Sequence, residues 1–330
     1  KITSTNPYYS MTLPGATSQI PAKTMINGTA TIAVTVYAAT MQVLTVTDIT
    51  AGGVTALVAD TLDISVNPNL ASAKKLLVLL PNETNIPGSA SGKSGAAIAS
   101  KAGVPISTVT VKACDAYYNV VSSYEPVAVF STAIAAVDDP FAVLPGGTAI
   151  TAGSRDFSSA VTFKVSTNGA VNRTLKVAAS GFADGVSTPI KTDPDTLYGL
   201  QVLMPGETAV PGSITGRSGT PFDQKVNVAL DPVTVKAVDK YWNLIPGANN
   251  TVVFTRNDKF CPMPSSAADR TLVNGQKVYT SAQLSPKFIF QTASMEDAVK
   301  KWIKAAPAAG ALIPDTGTAV NVNPNDPVKL

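Results

Sequence analysis

The sequence predicts an all-β chain of tandem β-sandwich modules, and three observations carry that prediction. The first is self-similarity. Val109-Thr-Val-Lys-Ala-Cys-Asp-Ala-Tyr-Tyr-Asn119 returns as Val233-Thr-Val-Lys-Ala-Val-Asp-Lys-Tyr-Trp-Asn243, and between Pro81 and Asn119 the two copies share 19 of 39 residues at a constant offset of 124. Duplication at that level marks a repeated structural unit. The second is alternation: Val, Val and Ala of each copy are interleaved with Thr and Lys, the period-two pattern of a strand with one buried and one wet face. The third is composition. Strand formers punctuated by Pro and Gly fill a chain that is 45% hydrophobic and only 14% charged, enough apolar material for real cores.

Taken in order, residues 1–70 read as the second half of a module. Leu13-Pro14 opens a loop, Asn27-Gly28 makes a turn in which Gly takes positive φ at no cost, and Ile32, Val34 and Val36 alternate with small polar residues. Gln42-Val-Leu-Thr-Val-Thr47 follows as another strand, and the segment closes at Val66-Asn-Pro-Asn69. Residues 71–196 form a complete module, opened by Leu76-Leu-Val-Leu-Leu-Pro81 and closed by Thr192-Asp-Pro-Asp195. Residues 197–330 form another, closed by Val322-Asn-Pro-Asn325. Within it, Ser294 to Ile303 has a capping Ser, acids in a first turn and Val299, Trp302 and Ile303 at helical spacing, which predicts an inserted short helix.

Val233 to Phe254, with its strand, Asp, Asn, Pro-Gly and Thr-Val-Val-Phe, resembles the bacterial Ig-like repeats of invasin and intimin, and Asn27 to Val34 resembles a later hairpin of the same family. The resemblance implies Ig-like sandwiches with Greek-key character, strung end to end in large secreted surface proteins, with no catalytic residues to carry over. Where that family usually has Asn-Gly after the Asp, this chain has Tyr117-Tyr118 and Tyr241-Trp242.

Histidine is absent, which removes His-based nucleophilic triads and His-bearing zinc sites. The net charge of +3 is carried by scattered Lys and Arg, so neither a nucleic-acid stripe nor a polybasic membrane anchor is expected. No apolar run approaches the roughly 18 to 20 residues that cross a bilayer. Cys114 and Cys261 lie in different repeats; Cys114 is read as a small apolar residue, with an inter-repeat disulfide or an unpaired thiol left open. Asp115 and Asp239, with Asp138, Asp139, Asp193 and Asp195, invite a calcium reading, but no Asp-x-Asp-x-Asp-Gly loop exists. Asp115, Asn119, Asp239 and Asn243 are therefore assigned to turn capping. Glu83 and Glu207 are lone acids, and Gly92-Lys-Ser-Gly95 is a loop without phosphate-loop spacing. No metal, cofactor or catalytic residue is assigned.

Tyr117, Tyr118, Tyr241 and Trp242 are the candidate contact residues, against a neighbouring module's linker or a glycan. Sequons at Asn27, Asn82, Asn172 and Asn249 are possible glycosylation sites. The expected function is a non-enzymatic structural subunit of an extracellular filament, surface layer or adhesin stalk. Its partners would be copies of itself or neighbouring repeats of a longer chain. The alternative is a carbohydrate-binding array of a secreted polysaccharide-degrading protein. A half module at 1–70 should expose an apolar face and unpaired strand edges. That makes Val320 and Val322, in the tail 311–330, candidate donor-strand residues, unless the chain is an excerpt of a longer repeat protein.

Overall fold

The computed structural model describes residues 1–5, 9–10, 23–49, 57–132, 138–167, 173–282, 287–294 and 299–325. Leu13, Pro14 and Asn172 lie outside them. The chain is all-β, built of many small antiparallel sheets. The described residues contain no helix long and apolar enough to cross a membrane.

Two cores organise the chain from residue 76 onward. In the first, the strand Thr108–Cys114 pairs antiparallel with Lys75–Leu79 on one side and Ser154–Ser158 on the other. Val109, Val111 and Ala113 are fully buried while Thr110 and Lys112 are half-exposed, so the alternation in the sequence is the alternation of the pleat. Opposite them, Val127–Ser131 pairs with Lys176–Ala178, and Ala128, Phe130, Leu175 and Val177 close the same core. The second core repeats this plan. Val233–Val238 lies between Gly199–Leu203 and Gln276–Tyr279, and Val252–Arg256 pairs with Ile303–Pro307. Phe254, Tyr279 and Phe288 meet edge to face, with centroids 5.0–5.6 Å apart, the arrangement aromatic quadrupoles favour.

The first seventy residues contain a three-stranded sheet of Ile2–Ser4, Met41–Val46 and Asp60–Ser65. Its strand Met41–Val46 corresponds to Lys176–Ala178 and Ile303–Pro307, and a two-stranded sheet of Tyr9–Ser10 and Thr35–Val36 accompanies it. Leu44 is buried, whereas Met41, Val46 and Leu62 are all more than half exposed.

One expectation is narrowed and one is corrected. The helix expected over Ser294 to Ile303 is confined to its start: Ser294 is helical and residues 295–298 lie outside the described set, but Lys301 is bridged to Val320 and Ile303 opens a strand paired with Arg256. Ile303 and Ala305 point into the core, so two-residue periodicity wins over helical spacing once a partner strand is present. A one-turn helix does form earlier, at Ala267–Arg270, capped by Ser266. The tail is likewise no idle donor. Val320 and Val322 are buried in the second core, and Val322–Asn323 pairs parallel with Gln224–Lys225. Thr192–Asp193 does the same with Ser100–Lys101 in the first unit. The tail closes its own unit.

Candidate functional site

The repeated turn after the long strand is a hairpin loop with a polar side chain at each end. Asp115 Oδ1 accepts the amides of Tyr117 (2.8 Å) and Asn119 (3.0 Å), and Asn119 Nδ2 donates to Asp115 Oδ2 at 2.9 Å. In the second copy Asp239 Oδ1 accepts from Tyr241 (2.8 Å) and Asn243 (2.9 Å), and Asn243 Nδ2 donates to Asp239 Oδ2 at 2.9 Å. These are self-capping turns of the kind short polar side chains make.

Both turns reach beyond their own unit. Asn119 donates to the Tyr37 carbonyl at 2.8 Å and accepts from the Ala39 amide at 2.6 Å. Asn243 donates to the Lys164 carbonyl at 2.8 Å and accepts from the Ser166 amide at 2.7 Å. The second carboxylate oxygen of each Asp takes one more bond from the end of the preceding unit: Asn69 N to Asp115 Oδ2 and Asp195 N to Asp239 Oδ2, both 2.9 Å. One carboxamide thus grips the outer carbonyl and amide of a three-residue segment, 37–39 or 164–166, while its Asp holds the linker. All four side chains are at most 4% exposed, so water competes little and the bonds act at nearly full strength. The pattern is a clasp between successive units.

The gripped segments are braced from inside. Gln42 Nε2 donates to the Ala38 carbonyl at 2.6 Å, and Arg173 donates to the equivalent Val165 carbonyl. Arg173 also pairs with Asp139 at 2.6 Å, both side chains fully buried. Asp139 Oδ2 accepts the Lys164 and Val165 amides. Burial lowers the pKa of the Arg173 guanidinium and the adjacent Asp139 opposes that shift. Asp139 is therefore occupied by Arg173 and the 164–165 backbone, and the described residues contain no group of three or more acids or thiols placed to hold a metal ion.

The aromatic residues divide by role. Tyr117 packs on Tyr37 with ring centroids 4.9 Å apart, and Tyr241 lies so close over Gly103 that a Cβ there would sit 1.9 Å from its ring. These two cover the seams. Tyr118 and Trp242 instead turn back onto their own unit, at φ of 62° and 65°. A non-glycine residue in that region costs about 1–2 kcal/mol, and ring contacts offset it. Tyr118 sits against Gly92 and beneath the Lys75 ammonium at 4.7 Å. Trp242 sits against Gly216 and donates from Nε1 to the Ile214 carbonyl at 3.3 Å. A Cβ at Gly92 or Gly216 would lie 2.2–2.3 Å from these rings, which explains the glycine in both loops.

The remaining candidates fall elsewhere. Asn27 and Asn82 are exposed in turns, and Asn249 is exposed just beyond one. Cys114 and Cys261 are unbridged and buried in separate clusters, which removes the inter-repeat disulfide. Burial raises their thiol pKa values to about 12 and about 11, with Asp115 adding to the shift at Cys114. Glu83 and Glu207 accept the Leu80 and Met204 amides and bond Thr188 and Thr318, stapling loops within their units. Sequence reasoning missed the receiving segments, because main-chain atoms carry no residue signature. It also missed Gln42 and Arg173, whose identities differ. No family model matches this chain, and no curated protein matches it.

Proposed function

We propose that the chain is a structural segment of an extracellular filament, surface layer or adhesin stalk, made of Ig-like modules joined head to tail and performing no catalysis. The observation that carries this reading is the recurrence of one buried clasp, atom for atom, at two successive junctions. A linker alone would leave adjacent units free to swing. Three hydrogen bonds and an aromatic contact per junction instead repeat one orientation, and a repeated orientation builds an ordered array.

Electron microscopy of the source cells, with antibodies raised against the chain, tests the proposal. Label on regular extracellular fibres or on a surface lattice is expected; label confined to the cell interior would overturn it. The carbohydrate-binding reading is weaker because the rings of Tyr118 and Trp242 are seated on their own loops. Retention of the chain on insoluble polysaccharide, lost on Tyr118→Ala and Trp242→Ala, would restore it.

A further inference from the structure

The second unit carries a third copy of the segment that the clasps grip. Asp258 Oδ2 accepts the amides of Gln291 (2.6 Å) and Thr292 (3.0 Å), and Oδ1 accepts that of Phe260 (3.1 Å). In the first unit Asp139 makes the same bonds to Lys164, Val165 and Phe141, at 2.6, 2.9 and 3.2 Å. The strands beneath agree: Gly103 N bonds Phe163 O where Asn227 N bonds Phe290 O, and Ile106 N bonds Val161 O where Leu230 N bonds Phe288 O. Gln291, Thr292 and Ala293 therefore occupy the places of Lys164, Val165 and Ser166. The first two segments have their outer carbonyl and amide taken by Asn119 and Asn243. Among the described residues, nothing takes the Gln291 carbonyl or the Ala293 amide.

A second, apolar observation coincides with it. Phe141 and Val165 lie under Gly212 of the following unit, where a Cβ would come within 2.9 Å and 2.7 Å of them. Phe260 stands where Phe141 does, and it is 59% exposed. A large ring left in water beside the exposed Gln291, and next to an Ala293 amide that is unpaired among the described residues although Ala293 itself is only 1% exposed, is half of an interface.

We infer that Gln291, Ala293 and Phe260 form a docking site for one more repeat of the same kind in a tandem array. That repeat would present an Asp-x-x-x-Asn turn and a Pro-Gly loop. The inference rests on the head-to-tail reading and locates its next contact. A second copy of this chain is a poor occupant, since both of its turns, Asp115–Asn119 and Asp239–Asn243, are already engaged at its own seams. Asn227 sets a preference. It replaces Gly103, over which Tyr241 lies flat, so the incoming turn must carry a smaller or tilted residue two places after its Asp.

The test is a chain cut after Asn325 and continued with a second copy of residues 196–325, in which the appended Tyr241 is changed to Ser to clear Asn227. Amide exchange at Ala293, followed by NMR, should slow by roughly tenfold or more relative to the unextended chain, as for an amide newly protected by a stable contact. Asn243→Ala in the appended copy, or Phe260→Lys in the original one, should remove that protection while both copies remain folded. Unchanged exchange at Ala293 beside a folded appended unit would overturn the inference, as would concentration-dependent protection in the unextended chain, which would make a second copy the occupant. Protection of Ala293 without extracellular arrays would retain the site and reject the proposed function; arrays without protection would do the reverse.

Discussion

Replacing Asn243 with Ala isolates the energy of one clasp. The substitution deletes two bonds across the seam, to Lys164 O and Ser166 N, and one within the turn, to the Asp239 carboxylate. Neutral hydrogen bonds contribute about 1 kcal/mol each and a charge-assisted one about 1.5–3 kcal/mol, so the expected loss is about 3–5 kcal/mol. Asp239 keeps its bonds from the Tyr241 and Asp195 amides, so its charge is not stranded. The loss should divide: the Asp239 bond stabilises the second unit's own hairpin, whereas the other two couple the units. Urea unfolding should therefore change from one transition to two, with faster exchange at the Ser166 amide. Asn119→Ala should behave alike at the first junction, where the three distances agree with the second set to within 0.1 Å. A change below about 1 kcal/mol with unaltered Ser166 exchange would mean that water replaces the clasp without cost, and the argument from burial would fail.

Three further outcomes are expected. Val235 is fully buried between Val202 and Lys277, so Val235→Asp should cost several kcal/mol while Thr234→Asp, on the wetter face, stays within about 1 kcal/mol; equal melting temperatures would refute the strand parity. Arg173→Met leaves the buried Asp139 carboxylate without its cation and should cost about 3–5 kcal/mol, against about 1 kcal/mol or less for Lys176→Met at the partly exposed pair with Asp184; similar urea midpoints would show that Arg173 is not the brace. For Asp258, burial raises the pKa, but the amides of Gln291, Thr292 and Phe260 and the Thr292 hydroxyl outweigh it and hold the carboxyl below its usual range. Its stabilisation is thus present above the unfolded pKa of about 3.9 and lost as pH falls through the lower folded value. Asp258→Asn should lower the urea midpoint at pH 7 and flatten its decline below about pH 4; an unchanged acid limb would assign acid sensitivity to other groups.

Local chemistry was legible in the sequence, and long-range pairing was not. Val109, Val111 and Ala113 declare their burial because alternation is a property of the strand itself. Asp115 and Asn119 declare a turn because both ends of the bond lie within five residues. The clasp could not be read, since its receiving atoms belong to the backbone of residues more than seventy positions away. The brace behind it is Gln42 in one unit and Arg173 in the next, two side chains that share only the ability to donate. The tail misled for a related reason. Val320 and Val322 have the alternation of an edge strand, and the residues that occupy them, Lys301 and Gln224, are not marked as partners in the sequence. Ser294 to Ile303 has good capping chemistry, but its far end is claimed by Arg256 and Val320, a choice that helical propensity does not register.

Because the hydrogen bonds that the Asn carboxamide makes across each seam go only to main-chain atoms, that part of the joint is made without regard to the neighbour's side chains. Tyr37-Ala38-Ala39 and Lys164-Val165-Ser166 have no residue in common, yet both are held by the same carboxamide with the same bonds. Gene duplication and unequal crossing-over could lengthen or shorten such an array without first evolving a matched pair of surfaces. The constraint on the hydrogen bonds falls on the donor turn, where changing Asp or Asn breaks a joint, while on the receiving side it is confined to the few residues that meet a ring or a close glycine, such as Tyr37, Gly103, Phe141 and Val165.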